Sequence, residues 1–167
     1  MQKIDNFGLT LNHGNTGAAA GTTNTFTTTA ASVCSIRGKF ATALGVLTNS
    51  ATTPTLDANT GVAFAPVLPN KAAIIVFGVN AAGTLVAVQG DQVDTETGVT
   101  TTVGAFRNAP SFPSIPDNFC PIAYTIARAA PSLTGGFICG STSWAASGAS
   151  CTTFQNISTI PDRSQIA

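Results

Sequence analysis

The side chains best suited to binding a cation are three acids in the middle of the chain, Asp91, Asp94 and Glu96. They fall in the stretch 90–98, which is bounded by glycines and which we interpret as an exposed loop. Calcium takes several carboxylate and carbonyl oxygens at close spacing on a flexible loop. These acids do not follow the ligand spacing of the known calcium loops, and they offer few oxygens. We therefore predict no cofactor and no metal, with calcium bound by this trio as the alternative.

The residues that commonly carry catalysis are scarce in this sequence. The chain has one histidine, His13, which lies between Asn12 and Gly14. A catalytic histidine needs an acidic partner that orients it and a nucleophile within reach, and neither accompanies His13 in the sequence. The sequence also contains no motif typical of a nucleophilic serine or of a phosphate-binding loop. We predict that the chain is not an enzyme and has no catalytic residues.

Four cysteines are the remaining candidates for chemistry: Cys34, Cys120, Cys139 and Cys151. None of them forms a C-x-x-C pair, so the spacing does not favour a zinc site. No apolar stretch of a secretory signal peptide follows Met1, which favours a reducing compartment and free thiols. A Cys139–Cys151 bridge stays open if these residues lie on adjacent strands. The sequence does not decide whether any of the four is disulfide-bonded.

The composition restricts the classes of partner. Only 8% of the residues are charged, and seven basic and seven acidic residues give a formal net charge of zero. Binding of nucleic acid or of an anionic membrane surface requires clustered Lys and Arg, so we predict neither partner. The most apolar segment, residues 72–88, is interrupted by Gly and Asn and is too short to span a bilayer. A surface with so little charge is poorly protected against association, which favours a protein whose surface contacts other subunits.

The elements that position these residues are predicted to be strands. Thr, Ser, Asn and Gly are poor helix formers, whereas Thr, Val, Ile and Phe favour strands. Alternating or continuous apolar runs predict strands over residues 33–44, 72–79, 84–89, 122–126, 137–139 and 151–157. In the first of these runs, Cys34, Ile36, Phe40 and Leu44 share one face. We predict an all-β fold, a β-sandwich or jelly-roll-like domain over residues 32–167.

Residues 1–31 are predicted to form an extended N-terminal arm. In its first part, every second residue from Phe7 to Leu11 is apolar. Its second part, residues 15–31, has small and polar side chains and one large apolar side chain. Such a segment cannot bury enough apolar surface to become ordered alone. It would become ordered against a neighbouring subunit or against the rest of its own domain, and both possibilities stay open. The predicted partner contacts are Phe7, Leu9, Leu11 and Phe26.

Several segments resemble structural proteins of tailed bacteriophages. They are residues 112–124 (FPSIPDNFCPIAY), residues 143–148 (SWAASG) and residues 153–163 (TFQNISTIPDR), and the hairpin over residues 74–89 is similar in style. These segments contain structural rather than catalytic motifs, and none of them lies in the arm, residues 1–31. The resemblance implies a virion protein on the capsid surface, assembled in the host cytoplasm. Within this class, the resemblance implies a capsid decoration (cement) protein. Its implied partners are the major capsid protein and further copies of the chain, as a dimer or trimer. A fibre, spike or adhesin module that binds a host glycan or protein is the alternative.

Overall fold

All regular secondary structure in the computed structural model, which describes residues 10–49 and 51–160, is β-strand. This part of the chain contains no helix that is long and apolar enough to cross a membrane. The strands are β1 (Leu11–Asn12), β2 (Ala19–Ala20), β3 (Thr25–Thr27), β4 (Cys34–Ile36), β5 (Lys39–Phe40), β6 (Ala51–Thr52), β7 (Lys71–Asn80), β8 (Leu85–Gln89), β9 (Val93–Asp94), β10 (Phe119–Ala129), β11 (Ala149–Ser150) and β12 (Phe154–Asn156).

The two long strands β7 and β10 form the centre of a six-stranded antiparallel sheet, which we call the large sheet. Its order is β11-β10-β7-β8, with β12 also paired to β10 and β9 also paired to β7. The continuous apolar run of β7 is buried at every position except its two ends, as expected for a central strand. The predicted hairpin is confirmed, because β7 and β8 pair antiparallel across a turn in which Gly83 has a φ of +78°.

Apolar side chains cover both faces of the large sheet. On one face, two three-stranded sheets, β1-β4-β5 and β2-β3-β6, pack over the odd-numbered residues of β7. On the other face, Phe106, Phe112 and Ile115 from the segment between β9 and β10, together with the residues after β12, pack over Tyr124 and the even-numbered residues of β7. The prediction of an all-β, sandwich-like domain is therefore confirmed.

Residues 10–31 of the predicted arm lie against the rest of the domain, which is one of the two possibilities that the sequence leaves open. Strand β1 pairs with β4, and the Asn12 amide donates to the Ser158 carbonyl at 3.0 Å. The Trp144 amide donates to the Thr23 carbonyl at 2.8 Å. These backbone hydrogen bonds join the segment to distant parts of the chain, so its small side chains do not have to order it alone. The domain boundary at residue 31 stays a prediction.

A tight turn overturns the predicted strand over residues 33–44. Arg37 and Gly38 have φ of +51° and +76°, so the chain reverses there and forms the β4–β5 hairpin. Cys34 and Ile36 face the core as predicted, but Phe40 pairs with Ser35 and is 79% exposed. Phe40 therefore lies on the opposite face from Cys34 and Ile36.

Residues 48–61 and the predicted loop over residues 90–98 contain short strands that depend on long-range pairing. Strand β6 lies within residues 48–61, and β9 lies within residues 90–98 and pairs with β7. In the first loop, the buried carboxylate of Asp57 accepts hydrogen bonds from three backbone amides. They are those of Asn59 at 2.8 Å, Thr60 at 3.3 Å and Gln89 at 2.8 Å. The Ala58 amide also donates to the Ala87 carbonyl at 2.9 Å, which attaches the loop to the outer edge of β8.

We expect Asp57→Asn to lower the free energy of unfolding by about 1–3 kcal/mol, because the amide group cannot accept all three hydrogen bonds and leaves a backbone donor unpaired. Asp91→Asn is the matched control at an exposed acid, with an expected change within about 0.5 kcal/mol. Urea denaturation followed by the fluorescence of the single tryptophan measures both variants. Equal stabilities would show that the carboxylate does not hold the loop.

Candidate partner-contact surface

The most exposed aromatic side chain of the described residues lies on one face of the small sheet β1-β4-β5. Leu11 pairs with Ser35, and Ser35 pairs with Phe40, so these three residues form a row across the sheet. Alternation along the strands adds His13 and Val33 to the same side. We call these five residues the outer face. Its apolar members Leu11, Val33 and Phe40 are 38%, 46% and 79% exposed.

The opposite side of the same small sheet faces the hydrophobic cluster that contains Phe26, Phe77 and Trp144, which we call the aromatic core. Asn12 pairs with Cys34, and both side chains are buried. The Asn12 amide nitrogen donates to the Ile157 carbonyl at 3.2 Å. The small sheet is therefore fixed to the domain by one side, which leaves its outer face available to a partner.

His13 helps to position Phe40. Its Nε2 lies 3.0 Å from the Ser35 hydroxyl, and its ring centroid lies 5.7 Å from that of Phe40 at a tilt of 45°. The His13 amide also donates to the Val33 carbonyl at 2.9 Å. These contacts give His13 a structural role in the outer face, between a hydroxyl and an aromatic ring.

The charged side chains near the outer face lie at its margin. Lys39 precedes Phe40 on β5 and is exposed. The Arg37 guanidinium pairs with the Asp117 carboxylate, and both side chains are more than half exposed. Exposed pairs of this kind contribute little to stability. A lysine on an outer strand also discourages pairing with unrelated strands. The apolar row therefore has a polar rim, an arrangement typical of interfaces.

The predicted partner contacts have different positions. Leu11 lies on the outer face, whereas Phe26 is fully buried and so cannot contact a partner. Its ring centroid lies 4.8 Å from that of Phe77 and 5.7 Å from that of Phe154, inside the aromatic core. The prediction for Phe26 was wrong because a single large apolar residue in a polar segment was available to fill the core of its own domain. Phe7 and Leu9 lie outside the described residues.

Sequence reasoning missed Phe40 and Val33 as surface residues. Phe40 was assigned to the core because it shares its parity with Cys34 and Ile36. The signal that could have found it is Arg37-Gly38, since a residue followed by glycine between two short runs is typical of a two-residue hairpin turn. Such a turn resets the alternation and moves the aromatic side chain to the other face.

The acidic trio does not form a site in the described structure. The Asp94 carboxylate accepts a hydrogen bond from the Lys71 ammonium at 2.7 Å, and this contact lowers the pKa of Asp94 below its usual value. The Glu96 amide donates to the Ala105 carbonyl at 2.8 Å. Within residues 10–49 and 51–160, no three His, Cys, Asp or Glu side chains are grouped as metal ligands. Asp94 therefore has a protein cation as its partner.

Trp144 is buried in the aromatic core. Its indole N–H donates to the Thr25 carbonyl at 2.7 Å, and its ring contacts Phe77, Phe137 and Phe154. A ligand such as a sugar cannot stack on this ring while the domain is folded.

All four cysteines are buried free thiols. Burial raises the pKa of Cys139 above its usual value and that of Cys151 to about 12, so both remain protonated. The Cys151 thiol lies 3.6 Å from the Trp144 carbonyl. The Cys34 sulfur lies 3.0 Å from the Ser32 hydroxyl oxygen, and the Cys120 sulfur lies 3.9 Å from the Pro121 carbonyl oxygen.

Comparison with known proteins identified no relative. No protein-family model matches the chain, and searches of curated proteins and of solved structures found no significant match.

Proposed function

We propose that this chain is a non-enzymatic virion protein of a tailed bacteriophage, a capsid decoration (cement) protein that attaches to the head lattice through its outer face. The observation that carries this proposal is the row formed by Leu11 and Phe40 across Ser35, with Phe40 79% exposed on a fixed small sheet. The resemblance of residues 112–124, 143–148 and 153–163 to phage structural proteins supports the class of particle.

The outer face has the apolar composition of a surface that becomes buried when another protein binds. Burying apolar surface contributes about 25 cal/mol per Å², and a buried aromatic residue often dominates an interface. His13 and the short strands hold Phe40 in place before binding, which lowers the entropy lost on association. Few charges in the chain would have to be desolvated at such a contact.

The proposed mechanism is stabilisation by binding. A protein that binds the expanded shell and not its precursor shifts the equilibrium toward the expanded form by mass action. Many identical lattice sites on a shell would each receive the same outer face. Association of the chain as a dimer or trimer would add avidity, since one oligomer then contacts several lattice positions. The partners in this proposal are the major capsid protein and further copies of the chain, on the surface of the virion.

We expect Phe40→Ser to weaken binding to purified expanded capsids that lack the protein by at least about tenfold, because the largest exposed apolar side chain of the outer face is lost. Val99→Ser is the matched control, since Val99 is also 75% exposed but lies in the turn between residues 99 and 102. Co-sedimentation with capsids over a range of protein concentrations gives both affinities. Equal binding by the Phe40→Ser variant and the wild type would remove the outer face from the proposal.

The number of copies per virion distinguishes the proposed role from the alternative. Quantitative mass spectrometry of purified particles is expected to find hundreds of copies, in a fixed ratio to the major capsid protein. A few dozen copies or fewer, located at a vertex or the tail, would instead indicate a fibre or spike. Absence of the chain from purified particles would overturn the virion assignment altogether.

A further inference from the structure

The backbone polar groups of Phe40 point away from the small sheet. The Ala41 amide donates to the Cys34 carbonyl at 2.9 Å, so these two residues form a hydrogen-bonded pair of β4 and β5. Hydrogen-bonded and non-hydrogen-bonded pairs alternate along antiparallel strands. The next pair, Phe40 and Ser35, is therefore of the non-hydrogen-bonded kind. The amide and carbonyl of Phe40 thus face outward from β5, on the side opposite to β4.

Strand β5 is for this reason an open edge of the small sheet. Within the part of the chain that the structure describes, the amide and carbonyl of Phe40 form no hydrogen bond. At the other edge of the sheet, the Asn12 amide of β1 donates to the Ser158 carbonyl at 3.0 Å. The open edge is short, because the Thr42 amide donates to the Ala81 carbonyl at 3.2 Å. An unpaired N–H and C=O at a sheet edge can add an extended segment of another chain.

The charge beside this edge determines which chain can bind. Lys39 precedes Phe40 on β5 and is exposed, and no carboxylate of the described residues pairs with it. A second copy that paired through its own β5 would place the two Lys39 side chains diagonally on one face, and like charges on paired strands are unfavourable. A different strand with an acidic residue opposite Lys39 gains an ion pair instead. The edge is therefore better suited to a different chain than to a second copy.

We propose that the open edge of β5 receives an extended segment of the major capsid protein, an inference that rests on the proposed function. The segment pairs with Phe40 through two backbone hydrogen bonds, one from the Phe40 amide and one to its carbonyl. The residue opposite Phe40 is apolar and lies against the ring, since directly opposed side chains share a face. The residue opposite Lys39 is acidic. Burial of apolar surface has no direction, so the hydrogen bonds and the ion pair fix the register of the contact.

The test is amide hydrogen exchange of the wild-type chain, alone and on purified expanded capsids that lack it. Mass spectrometry with residue-level resolution compares the neighbouring amides of Phe40 and Ala41. In the free protein, Phe40 should exchange faster than Ala41, whose amide is hydrogen-bonded within the sheet. On capsids, we expect exchange of the Phe40 amide to slow by at least about tenfold, because a partner carbonyl then accepts its hydrogen.

Charge reversal tests for the acidic residue of the partner. We expect Lys39→Glu to weaken binding to the same capsids by at least about tenfold, because two like charges then face each other. Arg107→Glu is the matched control, since Arg107 is also an exposed basic residue but lies near Asp94 of the large sheet. The Arg107→Glu variant should bind capsids as the wild type does.

The outcomes separate this inference from the proposed function. If the wild type does not bind capsids, both are overturned. Binding with unchanged exchange at Phe40 would overturn only the strand pairing, and equal binding by Lys39→Glu and the wild type would overturn the acidic partner residue. Slow exchange at Phe40 in the capsid-free protein, together with a dimer in sedimentation, would assign the edge to a second copy and overturn the inference. The exchange measurement needs only the wild type, so it decides the outcome even if a variant fails to fold.

Discussion

Replacing Phe26 by alanine is expected to lower the free energy of unfolding by about 3–5 kcal/mol. The Phe26 ring is fully buried and contacts both Phe77 and Phe154, so truncation leaves a cavity among aromatic side chains that cannot close over it. The loss should also release β3 from the core, because Phe26 is the central residue of that strand. Urea denaturation followed by Trp144 fluorescence measures the effect.

The matched control for Phe26→Ala is Phe40→Ala, the same substitution on the outer face. We expect its unfolding free energy to stay within about 0.5 kcal/mol of the wild type, because the Phe40 ring is largely in contact with solvent. The two variants thus separate the residue that stabilises the domain from the residue proposed to contact a partner. A Phe26→Ala protein as stable as the wild type would contradict the placement of residues 10–31 within the domain.

Replacing Gly78 by alanine is expected to lower the free energy of unfolding by about 3 kcal/mol, near the upper end for overpacking. Gly78 lies in the middle of β7, opposite Pro121 of β10 and Val86 of β8. A methyl group there would overlap the Phe119 ring and lie 2.6 Å from the Cys120 carbonyl oxygen. The ring could move, but the carbonyl belongs to the backbone of the paired strand, so the central pairing itself would have to shift.

Gly45→Ala is the control for Gly78→Ala, because no atom lies within 4 Å of the position that its methyl group would take. We expect Gly45→Ala to be neutral or slightly stabilising, since alanine restricts the unfolded chain more than glycine does. Thermal and urea denaturation of the two variants give the comparison. If both variants were equally stable, the close approach of β7 and β10 at Gly78 would not be a constraint.

The parts of the fold that the sequence predicted are those whose pattern is long and local. The continuous run of β7, the hairpin into β8 and the alternation through Ile122, Tyr124 and Ile126 each extend over enough residues to show their period. The strands that it did not predict are two or three residues long, and they exist because distant segments pair with them. Strand β1 depends on β4, and β9 depends on β7. No local pattern of two residues can indicate such a partner.

The candidate site was predicted only at Leu11. Phe40 was assigned to the core because its parity matched Cys34, and the turn at Arg37 and Gly38 reversed that assignment. Phe26 was assigned to a partner because its segment is polar, although a fully buried ring needs only one suitable space in its own domain.

The loop attached to the edge of β8 has a consequence for how copies of this protein coexist at high concentration. Asp57 and Ala58 occupy backbone groups of Gln89 and Ala87 that an incoming strand would otherwise use. Most soluble proteins keep their copies apart by electrostatic repulsion, which this chain lacks at a formal net charge of zero. Here a covered sheet edge replaces repulsion, so crowded copies cannot extend the large sheet from one molecule to the next at β8.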